Sequence, residues 1–207
     1  MRSTLMVLLL ACSPAQATLV LDVGPDGFPV GCSGCGTASG ATLGWAFSVS
    51  TTISIDGLGV WDEAANGFGS NPVDIGLWVD GGPLLATATV TSDSALVDSV
   101  SNDGAWRFAD IMAVTLTPGL YVIGSVFYDT GTLGQFDTDF STIAAVDYLG
   151  GRQVMLMDSG LSRPDFDLPG DEGFFGPTMR LLTVTEPTAV ALFAIGLAMM
   201  LWRRRPV

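Results

Sequence analysis

From Leu43 onward, apolar side chains recur at every second position, and no stretch of the body shows them at three-and-four spacing for ten residues. Trp45, Phe47 and Val49 alternate with Ala46 and Ser48, and Ile53 and Ile55 with Ser54 and Asp56. Val73, Ile75, Leu77 and Val79 alternate with Asp74, Gly76 and Trp78. Leu84, Ala86, Ala88 and Val90 fall opposite Leu85, Thr87, Thr89 and Thr91, and Tyr121, Ile123 and Phe127 opposite Val122, Val126 and Tyr128. Side chains of a strand point to opposite faces in turn, so such runs rich in Val, Ile, Thr and aromatics mark half-buried strands. Asn66-Gly67, Asp80-Gly81-Gly82-Pro83, Asn102-Asp103-Gly104, Pro118-Gly119 and Gly150-Gly151 supply turns between them. Many short strands with Gly-rich turns predict an all-β fold, an antiparallel β-sandwich or jelly-roll-like single domain. Residues 130–171 read as long loops with short strands near 144–149 and 153–157, and 180–185 as the last strand. No internal repeat interrupts this pattern.

Both ends carry targeting chemistry rather than fold. Arg2 precedes an apolar run over 5–11, followed by Ala15-Gln16-Ala17. Seven apolar residues are too few to span a bilayer, and a signal peptidase pocket admits only small side chains, so 1–17 is expected to be a cleaved signal peptide with Ala15 and Ala17 at the cleavage site. The competing reading is a lipoprotein signal, Leu9-Leu10-Ala11-Cys12, with Cys12 lipidated. At the other end, an apolar run over 189–202 precedes Arg203, Arg204 and Arg205. Fourteen helical residues reach about 21 Å, short of the roughly 30 Å hydrocarbon core. Trp202 and the arginines extend the reach by snorkelling. Three terminal arginines are expected to stay cytoplasmic, which puts the body outside. The body is then 18–184, with its core over about 42–184.

That body is strongly acidic. The chain has 21 acids, no histidine and no lysine, and four of its eight arginines sit at the ends. Arg107, Arg152, Arg163 and Arg180 face nearly all of the acids, a balance that repels nucleic acid and anionic headgroups. The charge serves solubility outside the cell, or it attracts divalent cations and cationic partners. Once Cys12 leaves with the signal, Cys32 and Cys35 remain, among glycines with no helical pattern after them. A redox CxxC opens a helix that lowers its thiol pKa, and a zinc site needs two further ligands. A small structural disulfide in an oxidising compartment suits the residues better, and closing so short a loop adds about 2 kcal/mol.

Without histidine, neither a Ser-His-Asp triad nor a Cys-His pair nor an imidazole metal site can form. Gly34-Cys35-Gly36 follows no strand and opens no helix, so it is not a nucleotide loop. Paired carboxylates of glycosidase type are not singled out among so many acids. No catalytic residues and no cofactor are therefore assigned. The best cation candidate is Asp165, Asp167, Asp171 and Glu172 around Gly170, where alternating carboxylates wrap calcium or form a solvated acidic loop. Asp137-Thr138-Asp139 is a weaker candidate. Trp45, Trp61, Trp78 and Trp106 form a sugar-stacking platform if exposed and a core if buried. Trp45 shares the face of Phe47 and Val49, whereas Trp78 points away from Ile75 and Leu77.

Two resemblances accompany these residues. Thr185, Glu186, Pro187 and Thr188, the short apolar run and the arginines Arg203, Arg204 and Arg205 together resemble the PEP-CTERM sorting signal, with Thr185 where that family usually has its first proline. The body, in the order Gly44-Trp45-Ala46-Phe47, Leu58-Gly59-Val60-Trp61-Asp62, Val73-Asp74-Ile75-Gly76-Leu77-Trp78, Trp106-Arg107-Phe108, Leu120-Tyr121-Val122-Ile123-Gly124 and Gly173-Phe174-Phe175-Gly176-Pro177, is similar to an uncharacterised extracytoplasmic β-sandwich domain that often precedes such tails. The first resemblance implies a processing protease of exosortase type, passage through the inner membrane of a Gram-negative bacterium, and a final place at the cell surface or in the extracellular matrix. The second supports fold and location only. The expectation is an exported structural or adhesive protein associated with exopolysaccharide, without enzymatic activity. The alternative is a carbohydrate-binding module using a sandwich face, and exposed tryptophans would favour it.

Overall fold

The computed structural model describes residues 17–25, 30–31, 41–67, 72–127, 134–135, 139–155, 160–168 and 174–183. Ala15, Cys12, Cys32, Cys35, Asp137, Asp171, Glu172, the signal residues before 17 and everything from 184 onward, including the expected helix over 189–202, lie outside them. Among the described residues no helix is long and apolar enough to cross a membrane.

The described chain is all-β and its sheets are antiparallel. Its strands are β1 (Leu21–Val23), β2 (Val30–Gly31), β3 (Ala41–Val49), β4 (Ile53–Glu63), β5 (Val73–Val79), β6 (Leu84–Val90), β7 (Ala95–Asp98), β8 (Gly104–Leu116), β9 (Gly119–Phe127), β10 (Gly134–Gln135), β11 (Phe140–Thr142), β12 (Val146–Met155), β13 (Phe166–Asp167), β14 (Phe174–Phe175) and β15 (Pro177–Leu181). A six-stranded sheet runs β13-β12-β3-β9-β5-β6 and a four-stranded sheet runs β15-β4-β8-β7. The small sheets β1-β11 and β14-β10-β2 complete the set.

The two large sheets contribute to one hydrophobic cluster. Trp45, Phe47, Ile75, Leu77, Tyr121 and Ile123 enter it from the six-stranded sheet, and Ile55, Leu58, Val60, Trp61, Trp106, Phe108 and Met179 from the four-stranded one. Burial of each such side chain stabilises by about 1.5–3 kcal/mol, and the aromatic pairs add geometry. Trp45 lies 4.9 Å from Phe47, and Trp61 meets Trp106 edge-on at 5.2 Å. The Trp45 Nε1–H donates to the Pro177 carbonyl at 2.8 Å, tying one sheet to the other. A bulge at Asp56 shifts the register between Ile55 and Gly57, which brings Leu58 and Val60 into phase with Ile53 and Ile55.

Three expectations change. Gly150-Gly151 is not a turn: Gly150, at φ +133°, lets β12 bulge between Tyr148 and Gly150 and continue, so the two short strands expected at 144–149 and 153–157 are one. Among the described residues the last strand is Pro177–Leu181: the expected strand over 180–185 starts earlier and has ended by 182, with 184 and 185 outside the described residues. The core also begins well before 42, because Val20, Leu21 and Val23 are fully buried. The thirteen-residue β8 was not visible as alternation beyond its ends, since Ala105, Trp106, Arg107 and Phe108 are all buried.

Candidate functional site

Residues 160–168, which carry Asp165 and Asp167 of the acidic segment, and Trp78 lie on the same face of the six-stranded sheet, turned away from Trp45 and Phe47. Gly44, Gly124 and Gly76 pair in register on β3, β9 and β5 and form a smooth row across three strands. The smoothness has a purpose in packing. A Cβ on Gly76 would run into the Trp78 indole, and one on Gly124 would come within 2.9 Å of Pro164. Trp78 therefore lies flat over the sheet, 7% exposed, in a second apolar layer.

Residues 160–168 cross this face as a strap. The Ser162 N–H donates to Thr42 Oγ1 at 3.2 Å, Pro164 is buried above Gly124, and the Leu168 N–H donates to the Gly151 carbonyl. Arg163 grips Asp165 through Nε at 2.5 Å and Nη2 at 3.2 Å, while its Nη1 donates to the Gly82 carbonyl at 2.7 Å. The hydrogen bond it donates to Asp165 is the main reason the Arg163 guanidinium is held above its ordinary pKa; burial opposes this, and the charges of Asp165 and Asp80 add to it. Asp167 pairs with Arg152 across β13 and β12. Two of the four proposed calcium ligands are thus engaged by arginine, and among the described residues no group of three metal-ligating side chains assembles.

The remaining arginines are engaged in the same way. Arg107 donates from Nε to Asp62 at 2.5 Å in a buried pair, and its Nη1 donates to the Ser94 carbonyl. Arg180 bridges Asp56 and Asp110, each at 2.7 Å, and its guanidinium lies 5.7 Å from the Phe108 ring centre. Burial lowers the Arg180 pKa, and the hydrogen bonds and charges of Asp56 and Asp110 outweigh it, so the net shift is upward. Each arginine of the body is therefore held by an internal carboxylate, which leaves the surrounding acids to set the sign of the surface.

All four body tryptophans are buried: Trp45, Trp61 and Trp106 completely, Trp78 nearly so. Phe166, 64% exposed at β13, is the one exposed aromatic among the residues whose side chains are described. Sequence reasoning missed two carboxylates that organise the fold. Asp22 accepts from Trp106 Nε1 at 2.8 Å, Ser99 Oγ at 2.6 Å and the Val100 N–H at 3.1 Å. Asp62 accepts the Gly67 N–H on both oxygens, near 3.0 Å, as well as Arg107. Neither stands out in a chain with 21 acids; their position beside Leu21 and Trp61 in apolar text was the available signal. Of the expected cleavage and sorting residues, Ala17 alone is described, just ahead of the first paired backbone at Thr18. Comparison with known protein families, with curated proteins and with solved structures finds no match to this chain.

Proposed function

We propose that this chain is an exported structural or adhesive protein of the cell surface or extracellular matrix, sorted by a PEP-CTERM-like tail. In this reading, residues 1–17 are removed as a signal, 18–184 form a single sandwich of jelly-roll type, and 185–207 carry the sorting motif, a short membrane helix and a basic end. An exosortase-type protease recognises the Glu186-Pro187 region after the domain has crossed the inner membrane of a Gram-negative cell. The domain then acts by presence and adhesion within exopolysaccharide, and catalyses nothing.

The observation that carries the reading is the burial of all four body tryptophans. Sugar-binding sandwich faces work by stacking pyranose rings on exposed aromatic faces, and here those rings are used for packing. The engaged arginines support it too, since no described guanidinium is left to grip an anionic polymer. Association with an acidic exopolysaccharide then runs through bridging divalent cations or bulk entrapment.

Tryptophan fluorescence tests this directly. In a Trp202→Phe chain only the four body indoles emit. Titration with exopolysaccharide is expected to leave their emission and acrylamide quenching unchanged. A saturable spectral shift would overturn the matrix reading in favour of a carbohydrate-binding face.

A further inference from the structure

The first residues of the body close the sheet that its last strand leaves open. The Val20 N–H donates to the Met179 carbonyl at 2.8 Å and the Leu181 N–H to the Thr18 carbonyl at 2.9 Å, around a bridge between Leu19 and Arg180. Residues 18–20 thus extend the four-stranded sheet beyond β15. The chain then turns into β1, which pairs with β11 in the register Leu21↔Thr142 and Val23↔Phe140. Thr178 Oγ1 donates to the Leu21 carbonyl at 2.8 Å, and the Ile143 N–H donates to the Val20 carbonyl. Val20, Leu21 and Val23 are fully buried in this slot, and the Asp22 carboxylate fixes the register by accepting Trp106, Ser99 and Val100.

The walls of the slot come from residues 140–143 and 177–181, far from the strand that fills it. The strand is terminal once a signal is cleaved after Ala17. Its connection to β3 runs over 24–40 and contains six glycines. Within that connection the described residues add the bond from the Gly24 N–H to the Asp139 carbonyl and the two-residue pairing of β2 with β10. The slot recognises a short segment by backbone ladder, three apolar side chains and one carboxylate, and the same segment on a neighbouring copy offers all of them. Exchange of an identical element between protomers adds no new interface chemistry and is a low-cost route to association.

We propose that residues 18–23 are an exchangeable strand, and that the slot between β15 and β11 accepts this strand from a second copy of the chain when copies are crowded. A tether of this length holds its own strand at an effective concentration on the order of millimolar. In dilute solution each molecule therefore fills its own slot. At millimolar local density, as in a surface layer, the neighbour's strand competes. Like charge opposes the approach: all but one of the 21 acids lie between 18 and 182, against four arginines there. Salt shortens the Debye length to about 10 Å at 0.1 M and weakens that opposition. Exchange that is not reciprocal generates open chains of copies. The inference rests on the proposed removal of residues 1–17 for a free strand end, and its test reads strand exchange alone, whether or not the tail is processed.

The test is a cross-link that only exchange can form. One full-length chain carries Thr18→Cys and a second, differently tagged, carries Leu181→Cys, and the two are refolded together under oxidising conditions. The expected result is a mixed dimer whose joined peptides place the disulfide between positions 18 and 181. Its fraction rises from near zero at micromolar chain to about half at millimolar, and it is lower at 10 mM than at 150 mM salt. A single chain carrying both substitutions links internally at micromolar concentration, which establishes that the pair is in reach and the fold intact. If the double variant links internally while the mixture gives no 18–181 dimer at millimolar concentration, the strand does not exchange and the proposal fails. If the double variant does not link at all, residues 18–20 do not dock on β15 and the proposal fails with it.

Discussion

Replacing Asp62 with Ala removes the partner of a guanidinium that has nowhere to go. The Arg107 side chain is 9% exposed and that of Asp62 1%, so neither charge gains much from water in the folded state. The carboxylate accepts Arg107 Nε and the Gly67 N–H, and Arg107 also donates to the Ser94 carbonyl, so one pair joins the loop after β4 to the loop before β7. Breaking a buried pair from one side typically costs about 3–5 kcal/mol, because an uncompensated charge stays buried. For a body of this size, each kcal/mol lowers Tm by about 2–4 °C, so a fall of about 6–20 °C is expected. With m near 2 kcal/mol/M, the urea midpoint falls by about 2 M. The Asp62→Asn/Arg107→Met double variant removes both charges and keeps an acceptor for Gly67. It is expected to recover more than half of the loss, and a cycle closed with the Asp62→Asn and Arg107→Met single variants is expected to give a coupling energy of about 2–3 kcal/mol. The assay is urea unfolding followed by tryptophan emission, with m compared across variants. A loss below about 1 kcal/mol for Asp62→Ala, or additive single effects, would refute the reasoning.

Three further outcomes are expected elsewhere in the chain. Intact mass of the exported protein should be two hydrogens below its reduced form, through Cys32 and Cys35; free thiols in protein recovered from the envelope would dismiss the disulfide. Calcium at millimolar concentration should leave Tm unchanged, because Arg163 and Arg152 hold Asp165 and Asp167; a rise that Asp167→Asn abolishes would restore the loop as a cation site. Gly76→Val should drive the Trp78 indole off the sheet, at a cost of about 1–3 kcal/mol and with increased acrylamide quenching; wild-type quenching and stability would contradict the close-approach account.

The fold was legible where large apolar side chains take every second position of a strand. Runs such as 73–79 and 84–90 announce themselves by alternation, and β5 and β6 occupy those ranges. Alternation fails where both faces are covered, as at Ala105 to Phe108, and where a strand is too short to show a period, as in Leu21–Val23. It also misleads at Gly150-Gly151, where the glycine that signals a turn serves a bulge inside β12. Trp78 was readable as standing off the core face, but the cover of that face was not, because Pro164 reaches Gly124 from a strap far along the chain. Asp22 and Asp62 become distinguishable from other acids only when folding brings Trp106, Ser99, Arg107 and Gly67 to them. Such partners lie up to 84 residues away and leave no local trace.

The sorting claim is tested most directly at the motif itself. In the proposed reading, the three arginines after the apolar run 189–202 stop transfer and leave the domain outside. A proline lacks an N–H and disfavours helix for the residue before it, so the proposed motif offers a protease an extended segment. Cells expressing the wild-type chain and a Glu186→Ala/Pro187→Ala chain are fractionated, and each protein is weighed intact. The account predicts that the wild type loses Arg203, Arg204 and Arg205 and reaches the surface or matrix, whereas the variant is exported but stays full length in the inner membrane. A variant processed and localised like the wild type would contradict the sorting reading and leave a plain C-terminal anchor in its place.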